Sequence, residues 1–122
     1  MAKLKLIINT DGGCLNNNSK DMRYRFGGYG VKLEYGLSVK FLGGSLHGTT
    51  NQQMELAAVI VGLINIKESY VGEILIVSDS SYVINGVKNC VRWKGEDWRT
   101  RAKKPIANKN LWILLHDLIC KF

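Results

Sequence analysis

The stretch TTNQQMELAAVIVGLINI, residues 49–66, predicts a long helix in a chain that otherwise begins with β-strands. Thr50, followed by Gln53 three residues later, matches the capping-box pattern of a helix start. We expect the helix to run from Asn51 to about Glu68. Its apolar residues at helical spacing are Met54, Ala57, Ala58, Val61 and Ile64.

Three strands are predicted before this helix and one after it. Residues 3–10 read as a largely apolar strand, and we expect Asp11-Gly12-Gly13 to end it. Residues 28–35 and 37–43 lie on either side of Gly36 and predict a hairpin. Residues 73–78, EILIVS, predict a short fourth strand.

A second helix should begin within residues 82–87, and a third should span 107–122 with Leu111, Leu114, Leu115 and Leu118 on one side. Strands joined in succession form an antiparallel meander, whereas a strand reached through a crossover helix normally returns parallel and right-handed. The sequence therefore predicts an α/β fold: a mixed sheet of three antiparallel strands plus a parallel fourth, with packed helices.

The composition is that of a folded protein. A length of 122 residues fits a single domain over residues 1–122, and 46% hydrophobic with 22% charged residues excludes a disordered chain. The longest apolar stretch, residues 56–64, is too short to span a membrane, and the first ten residues do not read as a secretory signal. Cys14, Cys90 and Cys120 are scattered, so we expect reduced thiols and a cytoplasmic location.

The formal net charge of +7 is concentrated late in the sequence. Residues 1–87 carry a net charge of +1, whereas residues 88–122 carry nine basic and three acidic side chains, a net charge of +6. Trp93 and Trp98 are interleaved there with basic side chains, and cations with aromatic rings suit a nucleic-acid backbone. A solvated basic face whose tryptophans belong to the core is an equally good interpretation.

Three carboxylates occupy positions that this fold would bring to one edge. Asp11 follows the first strand, Asp79 follows the fourth, and Glu55 lies in the first turn of the helix between them. Clustered carboxylates repel unless a cation binds, and their oxygens suit Mg²⁺ or Mn²⁺, two of which would clamp a reacting phosphodiester. Taken singly, each acid has a simpler interpretation: a turn at Asp11, a favourable helix-dipole charge at Glu55 and a helix N-cap at Asp79.

Five segments together resemble type 1 ribonuclease H, and the resemblance covers nearly the whole chain. They are TDGGC (10–14), GGYG (27–30), TTNQQMEL (49–56), SDSSYV (78–83) and the stretch from Trp93 to Trp112. The resemblance implies a ribonuclease H-like fold that cleaves the RNA strand of RNA/DNA hybrids by two-metal hydrolysis. It implies Asp11, Glu55 and Asp79 as catalytic metal ligands, with the Gly12 backbone, for two Mg²⁺ ions or for Mn²⁺ as a substitute.

The resemblance also implies a surface that binds the hybrid. The segment 88–109 matches the family's basic protrusion, which grips the DNA strand. The expected substrate-binding residues are Cys14, Asn17, Thr50, Asn51, Gln52, Tyr82, Trp93, Lys94, Trp98, Arg99, Arg101, Lys103 and Lys104. The loop after Cys14 reads LNNNSKDMRYRF, which is longer than the family's usual form and lacks its proline.

The sequence departs from the family at its end. The family normally continues with a fifth strand, a histidine-containing loop, a fourth catalytic Asp and a last helix, none of which follows here. We therefore expect a C-terminally shortened domain, with Asp117 and His116 as plain residues of the last helix, the latter on its surface, and His47 at a hairpin end.

This departure has consequences for the fold and for catalysis. The fourth strand would be an open sheet edge, so either a homodimer partner or a second chain covers it or the natural protein has been truncated. Mg²⁺-dependent cleavage should be impaired and improved by Mn²⁺. Two alternatives to an autonomous enzyme stay open: a non-catalytic nucleic-acid-binding module, and a fragment that needs a partner chain to supply the missing strand and carboxylate.

Overall fold

The computed structural model describes residues 4–122, so Lys3, where the first predicted strand begins, lies outside the described residues. Four strands form a sheet: β1 (Leu6–Leu15), β2 (Phe26–Tyr35), β3 (Ser38–His47) and β4 (Ile74–Val77). Three α-helices pack with it: α1 (Asn51–Ile64), α2 (Ser81–Gly95) and α3 (Lys109–Ile119). The predicted order of strands and helices is confirmed.

The sheet is mixed, as predicted. Its strand order is β3-β2-β1-β4, with β1, β2 and β3 antiparallel and β4 parallel to β1. Ile8 pairs with Leu33 of β2 on one side and with Ile76 of β4 on the other. The crossover through α1 therefore makes β4 run in the same direction as β1, and the carboxyl end of β4 lies next to Asn9 of β1. Within residues 4–122, β4 is an edge strand.

β1 is longer than the sequence predicted. The expectation that Asp11-Gly12-Gly13 ends the strand is wrong, and so is the interpretation of Asp11 as a turn residue. The ladder continues past these residues, pairing Asp11 with Gly30 and Leu15 with Phe26. Strand pairing depends on the partner as much as on local propensity, and β2 runs beside β1 for its full length.

α1 begins where the sequence predicted and ends earlier. Thr50 is its N-cap and accepts a hydrogen bond from the Gln53 backbone N–H at 3.1 Å. The helix ends at Ile64 and not near Glu68, because Asn65 caps its C-terminus. The Asn65 side-chain Nδ2 donates to the Val61 carbonyl at 2.8 Å.

The core lies between the sheet and the helices. Ile8 of β1 and Val31 of β2 are buried beneath Leu56, Val59 and Leu63 of α1. A β-carbon at Gly62 would lie 2.7 Å from Ile8 Cγ2, so the helix rests directly on the sheet. None of the helices in residues 4–122 has both the length and the apolarity needed to span a membrane.

α3 buries part of the predicted face: Leu115 and Leu118 are buried and Leu111 is half-buried, but Leu114 is not buried. Leu114 is 42% exposed, whereas Trp112 is fully buried. His116 is also buried, with its ring 6.0 Å from that of Trp98, so the prediction of a surface histidine is wrong. The reason is that Trp112 shifts the apolar face of the helix by a part of a turn, which brings His116 inward.

Candidate functional site

The backbone of β1 touches the first turn of α1 at Gly12. A β-carbon at this position would lie 2.5 Å from the Met54 carbonyl carbon and 2.7 Å from the Glu55 amide nitrogen. Only glycine allows so close an approach of a strand to a helix. Gly12 therefore sets the distance between the strand that carries Asp11 and the helix that carries Glu55.

Asp11 and Asp79 stand at matching positions on neighbouring parallel strands. The β1–β4 ladder ends at Asn9 opposite Val77, and each acid follows two residues later. Thr10 Oγ1 donates to the Val77 carbonyl at 3.3 Å, so the two chain segments stay in contact just before the acids. Both aspartates are exposed to solvent at this edge of the sheet.

Ser80 connects the third acid to this edge. Its hydroxyl donates to Glu55 Oε2 at 2.7 Å and accepts from the Val83 backbone N–H at 3.2 Å as the N-cap of α2. The interpretation of Asp79 as the N-cap is therefore wrong, since Ser80 has that role. Glu55 lies just past the first turn of α1 and not within it as expected, which weakens its interpretation as a helix-dipole charge. Its half-buried carboxylate is bonded to Ser80, the residue after Asp79.

The three carboxylates share one edge, but they do not form a closed cluster. Among residues 4–122, no three His, Cys, Asp or Glu side chains stand close enough to hold a metal ion together. Like charges without a counter-charge repel, and the Glu55 carboxylate is bonded to the Ser80 hydroxyl. All the donors are carboxylate oxygens, so these residues fit a hard divalent cation such as Mg²⁺ better than a soft one.

The first turn of α1 is joined to the loop that follows β1. The Asn51 backbone N–H donates to Asn17 Oδ1 at 2.9 Å, and Cys14 Sγ donates to the Thr49 carbonyl at 3.6 Å. Gln52 is exposed beside them. The residues expected to contact substrate near the helix start are thus grouped, although Asn17 and Thr50 already use side-chain oxygens within the protein.

The basic segment begins inside α2, and its tryptophans pack together. Trp93 lies 6.5 Å from Trp98 and 5.6 Å from Trp112, measured between ring centroids. Trp98 is only 8% exposed, so the prediction that its ring contacts substrate is wrong, and the ring packs in the core instead. Trp93 is half-buried and keeps part of its surface accessible. For Trp98, the alternative that placed the tryptophans in the core was the right one.

The cations of this segment point into solvent. In the part of the chain that the structure describes, only Arg99 among them has an ion-pair partner, with its Nε 3.7 Å from Asp97 Oδ2. Exposed pairs of this kind are worth little. Six other cations of the segment are exposed and have no ion-pair partner among the described residues: Lys88, Arg92, Lys94, Arg101, Lys103 and Lys104. They leave a positive surface on a segment whose Asn108 contacts Gln53, two residues from Glu55.

A hydrogen-bond chain connects this segment to α1. Tyr82 Oη accepts from Asn108 Nδ2 at 3.0 Å and from Trp112 Nε1 at 3.1 Å. Asn108 Oδ1 in turn accepts from Gln53 Nε2 at 3.3 Å. The Tyr82 hydroxyl is therefore bonded within the protein and does not serve as the substrate contact that we expected. Asn108 is a residue of this network that the sequence did not indicate.

Ser80 and Asn108 were both missed by sequence reasoning. Serine just before a helix is a common N-cap, so this signal could have identified the backbone role of Ser80, although Asp79 was the residue considered as the N-cap. Its bond to Glu55 joins residues 25 positions apart, and no local pattern contains that information.

The strand and helix order, together with the positions of Asp11, Glu55 and Asp79, defines the class of protein. A three-stranded meander joined through a crossover helix to a parallel fourth strand, with carboxylates on β1, on α1 and after β4, is the RNase H-like arrangement. The RNase H family model matches residues 3–121, and the chain belongs to the RNase H family.

Curated relatives are similar over most of their length. A Ribonuclease H from Ruthia magnifica subsp. Calyptogena magnifica is 44% identical over 109 residues, covering 88% of this chain and 70% of the relative. A Ribonuclease H from Clostridium botulinum is 40% identical over 119 residues, covering 96% of this chain and 76% of the relative.

Solved structures share the fold. LC9-RNase H1, a type 1 RNase H with the type 2 active-site motif, matches with a TM-score of 0.78 and 23% identity over 98% of this chain and 59% of that one. The foamy viral protease-reverse transcriptase in complex with RNA/DNA hybrid matches with a TM-score of 0.78 and 20% identity over 95% of this chain and 16% of that one.

Proposed function

We propose that this protein hydrolyses the RNA strand of RNA/DNA hybrids as an endonuclease. The observation that carries the proposal is the position of three carboxylates, two at matching places on the parallel strands β1 and β4 and the third bonded to Ser80, in a member of the RNase H family with an exposed basic segment. Curated relatives named Ribonuclease H at about 40% identity support it. Exposed cations attract the phosphate backbone of a duplex, and carboxylates can hold the divalent cations that phosphodiester hydrolysis needs.

In this proposal Asp11, Glu55 and Asp79, with the Gly12 backbone, hold two Mg²⁺ ions, for which Mn²⁺ can substitute. When bound, the ions would supply a more acidic water and positive charge at the scissile phosphate. The protein contributes the spacing of the acids through Gly12 and the orientation of Glu55 through the Ser80 hydroxyl.

Substrate binding is proposed for two groups of side chains. Near the helix start, Cys14, Asn17, Thr50, Asn51 and Gln52 face the hybrid backbone and its minor groove, where 2′-hydroxyls mark the RNA strand. In the basic segment, the DNA strand is held by Trp93, Lys94, Arg99, Arg101, Lys103 and Lys104. Tyr82 acts as a positioning residue through its bonds to Asn108 and Trp112.

The test is cleavage of an end-labelled RNA/DNA hybrid by purified protein in Mg²⁺, in Mn²⁺ and in EDTA. Asp11→Asn, Glu55→Gln and Asp79→Asn should each reduce the rate at least about 100-fold, because groups that only support metal ligands already cost 10–100-fold. Asp117→Asn, which changes an exposed acid of α3, is the matched control and should be unaffected. Variants as active as the wild type would refute the assignment and point to a contaminating nuclease.

A metal titration gives a second readout that does not depend on turnover. Calorimetry with Mg²⁺ or Mn²⁺ should show binding to the wild type, weaker binding to Asp11→Asn and unchanged binding to Asp117→Asn. Equal heats for all three proteins would remove the carboxylates from the metal site.

We also propose that the protein works as a single domain over residues 1–122, in the cytoplasm, with its β4 edge covered by a second copy or another chain. One hydrophobic core joins the sheet and the helices, and three free thiols suit a reducing compartment. β4 is unpaired on one side within residues 4–122, which supports a covering strand, and the exposed Leu75 and Val77 on one face of β4 add an apolar surface beside it. A stable monomer in light scattering after size exclusion would argue against a homodimer.

A further inference from the structure

The loop between β1 and β2 presents a fixed surface that the residues assigned above do not use. It contains a 3₁₀ turn at Met22–Tyr24 and is held at both ends. Asn16 Nδ2 donates to the Tyr24 carbonyl at 2.9 Å, and the Gly48 N–H donates to the Arg25 carbonyl at 3.0 Å. Ordered backbone contacts of this kind hold the side chains of residues 19–26, here named the loop surface, in one place.

The loop surface is basic and carries an exposed aromatic ring. Arg23 pairs with Asp21 at 2.7 Å, so these two charges largely offset each other. Lys20 and Arg25 have no ion-pair partner within residues 4–122, and the Tyr24 ring is 64% exposed. Lys20 is exposed, whereas Arg25 is half-buried and its Nε donates to the Ser19 carbonyl at 2.9 Å. The exposed lysine beside the exposed tyrosine therefore resembles the basic segment most closely, since that segment also combines cations with aromatic rings.

The position of the loop surface relates it to the site. Asn17 Oδ1 accepts from the Asn51 N–H on one side of the first turn of α1, while Gln53 donates to Asn108 on the other side. The two basic elements therefore flank the same helical turn. Leu15 is four residue steps along β1 from Asp11, a distance of about 13 Å, which is shorter than a ten-base-pair length of duplex, about 34 Å.

We propose that the loop surface is a second contact for the nucleic-acid duplex, on the flank of α1 opposite the basic segment. Lys20 and Arg25 would bind backbone phosphates, and Tyr24 would pack on a sugar or a base. The inference rests on the proposed function, because the partner is the hybrid that the acidic edge cleaves. Since phosphates and not base edges are recognised, the contact is independent of sequence.

The test is the affinity for a labelled 20-base-pair hybrid in EDTA, measured by fluorescence anisotropy across a salt series. Lys20→Glu should weaken binding about fivefold and reduce the slope of log K against log salt by about one. Tyr24→Ala should weaken binding about fivefold or more, the lower end of what a stacked base loses. Lys40→Glu is the matched control: it makes the same charge change on an exposed lysine near the far end of β3 and should have no effect.

A third variant distinguishes charge from loss of structure. Asp21→Asn keeps an oxygen that can accept from the Arg23 N–H, so the turn is retained, but it frees the Arg23 charge. It should bind the hybrid about twofold tighter, with an unchanged thermal melt. If Lys20→Glu perturbs the melt, Lys20→Gln replaces it.

The outcomes separate the two proposals. One outcome would overturn the loop contact and leave the proposed function standing. In that outcome the wild type binds and cleaves the hybrid, and Lys20→Glu, Tyr24→Ala and Asp21→Asn each bind it with the same affinity as the wild type. Absence of both binding and cleavage in the wild type would overturn both. Effects confined to one hybrid sequence would also contradict a phosphate contact.

Discussion

Replacing Gly86 with alanine should destabilise the protein by forcing apart the two helices that support the basic segment. A β-carbon at Gly86 in α2 would overlap the Trp112 ring of α3, which is fully buried. Alanine favours the helix by about 1 kcal/mol over glycine. Overpacking costs about 1–3 kcal/mol, and the upper end applies here because a rigid ring cannot yield without leaving the core.

The net loss is about 2 kcal/mol, the difference between an overpacking cost of about 3 and a helix gain of about 1. For a chain of this length that lowers the Tm by about 6–10 °C. Differential scanning calorimetry, with tryptophan fluorescence to follow Trp112, measures it. Gly95→Ala is the control, since a β-carbon at this position in the same helix meets nothing within 4 Å and should leave the Tm unchanged or slightly higher. Equal melting of Gly86→Ala and Gly95→Ala would refute the packing argument.

Three further outcomes are expected. Gly12→Ala should reduce the rate of hybrid cleavage by more than the loss of folded protein in a urea melt explains, because the new β-carbon pushes β1 away from the part of α1 that carries Glu55. A cleavage rate that falls only in proportion to the folded fraction would contradict this. Ser80→Gly should keep the N-cap energy within a few tenths of a kcal/mol but lose the bond to Glu55, whereas Ser80→Ala should also lose about 1 kcal/mol; a kinetic assay and urea melts compare the pair. Burial, together with the nearby Cys120, raises the pKa of Cys90 to about 11 from an ordinary value of 9.0. The unfolded thiol ionises first, so the free energy of unfolding should fall between about pH 9 and pH 11, and Cys90→Ala should flatten that part of the urea-melt profile.

The topology was predictable because its signals are local. Thr50 and Gln53 mark the helix start, and a helix of that length between two apolar strands leaves few connections other than a parallel crossover. The end of β1 was not predictable from Asp11-Gly12-Gly13, since glycine and aspartate suggest a turn unless a partner strand continues beside them.

The site was predictable in its residue types and less so in its contacts. Asp11 and Asp79 were predicted from the apolar strand stretches that precede them, although β1 continues past Asp11 to Leu15. The bond from Ser80 to Glu55 and the burial of Trp98 arise from tertiary packing between distant segments. Trp98 has the same sequence surroundings as an exposed aromatic in a basic stretch, so only the fold decides between the two.

In the proposed complex, the first turn of α1 would be a fixed spacer between the two duplex contacts. One side is bonded to Asn17 and the other to Asn108, so the distance between the flanking surfaces cannot adjust to the ligand. Engagement of one surface raises the effective concentration of the other, and this avidity is lost when the geometry forbids simultaneous contact. A duplex of the wrong width would therefore be penalised in affinity without any base being read.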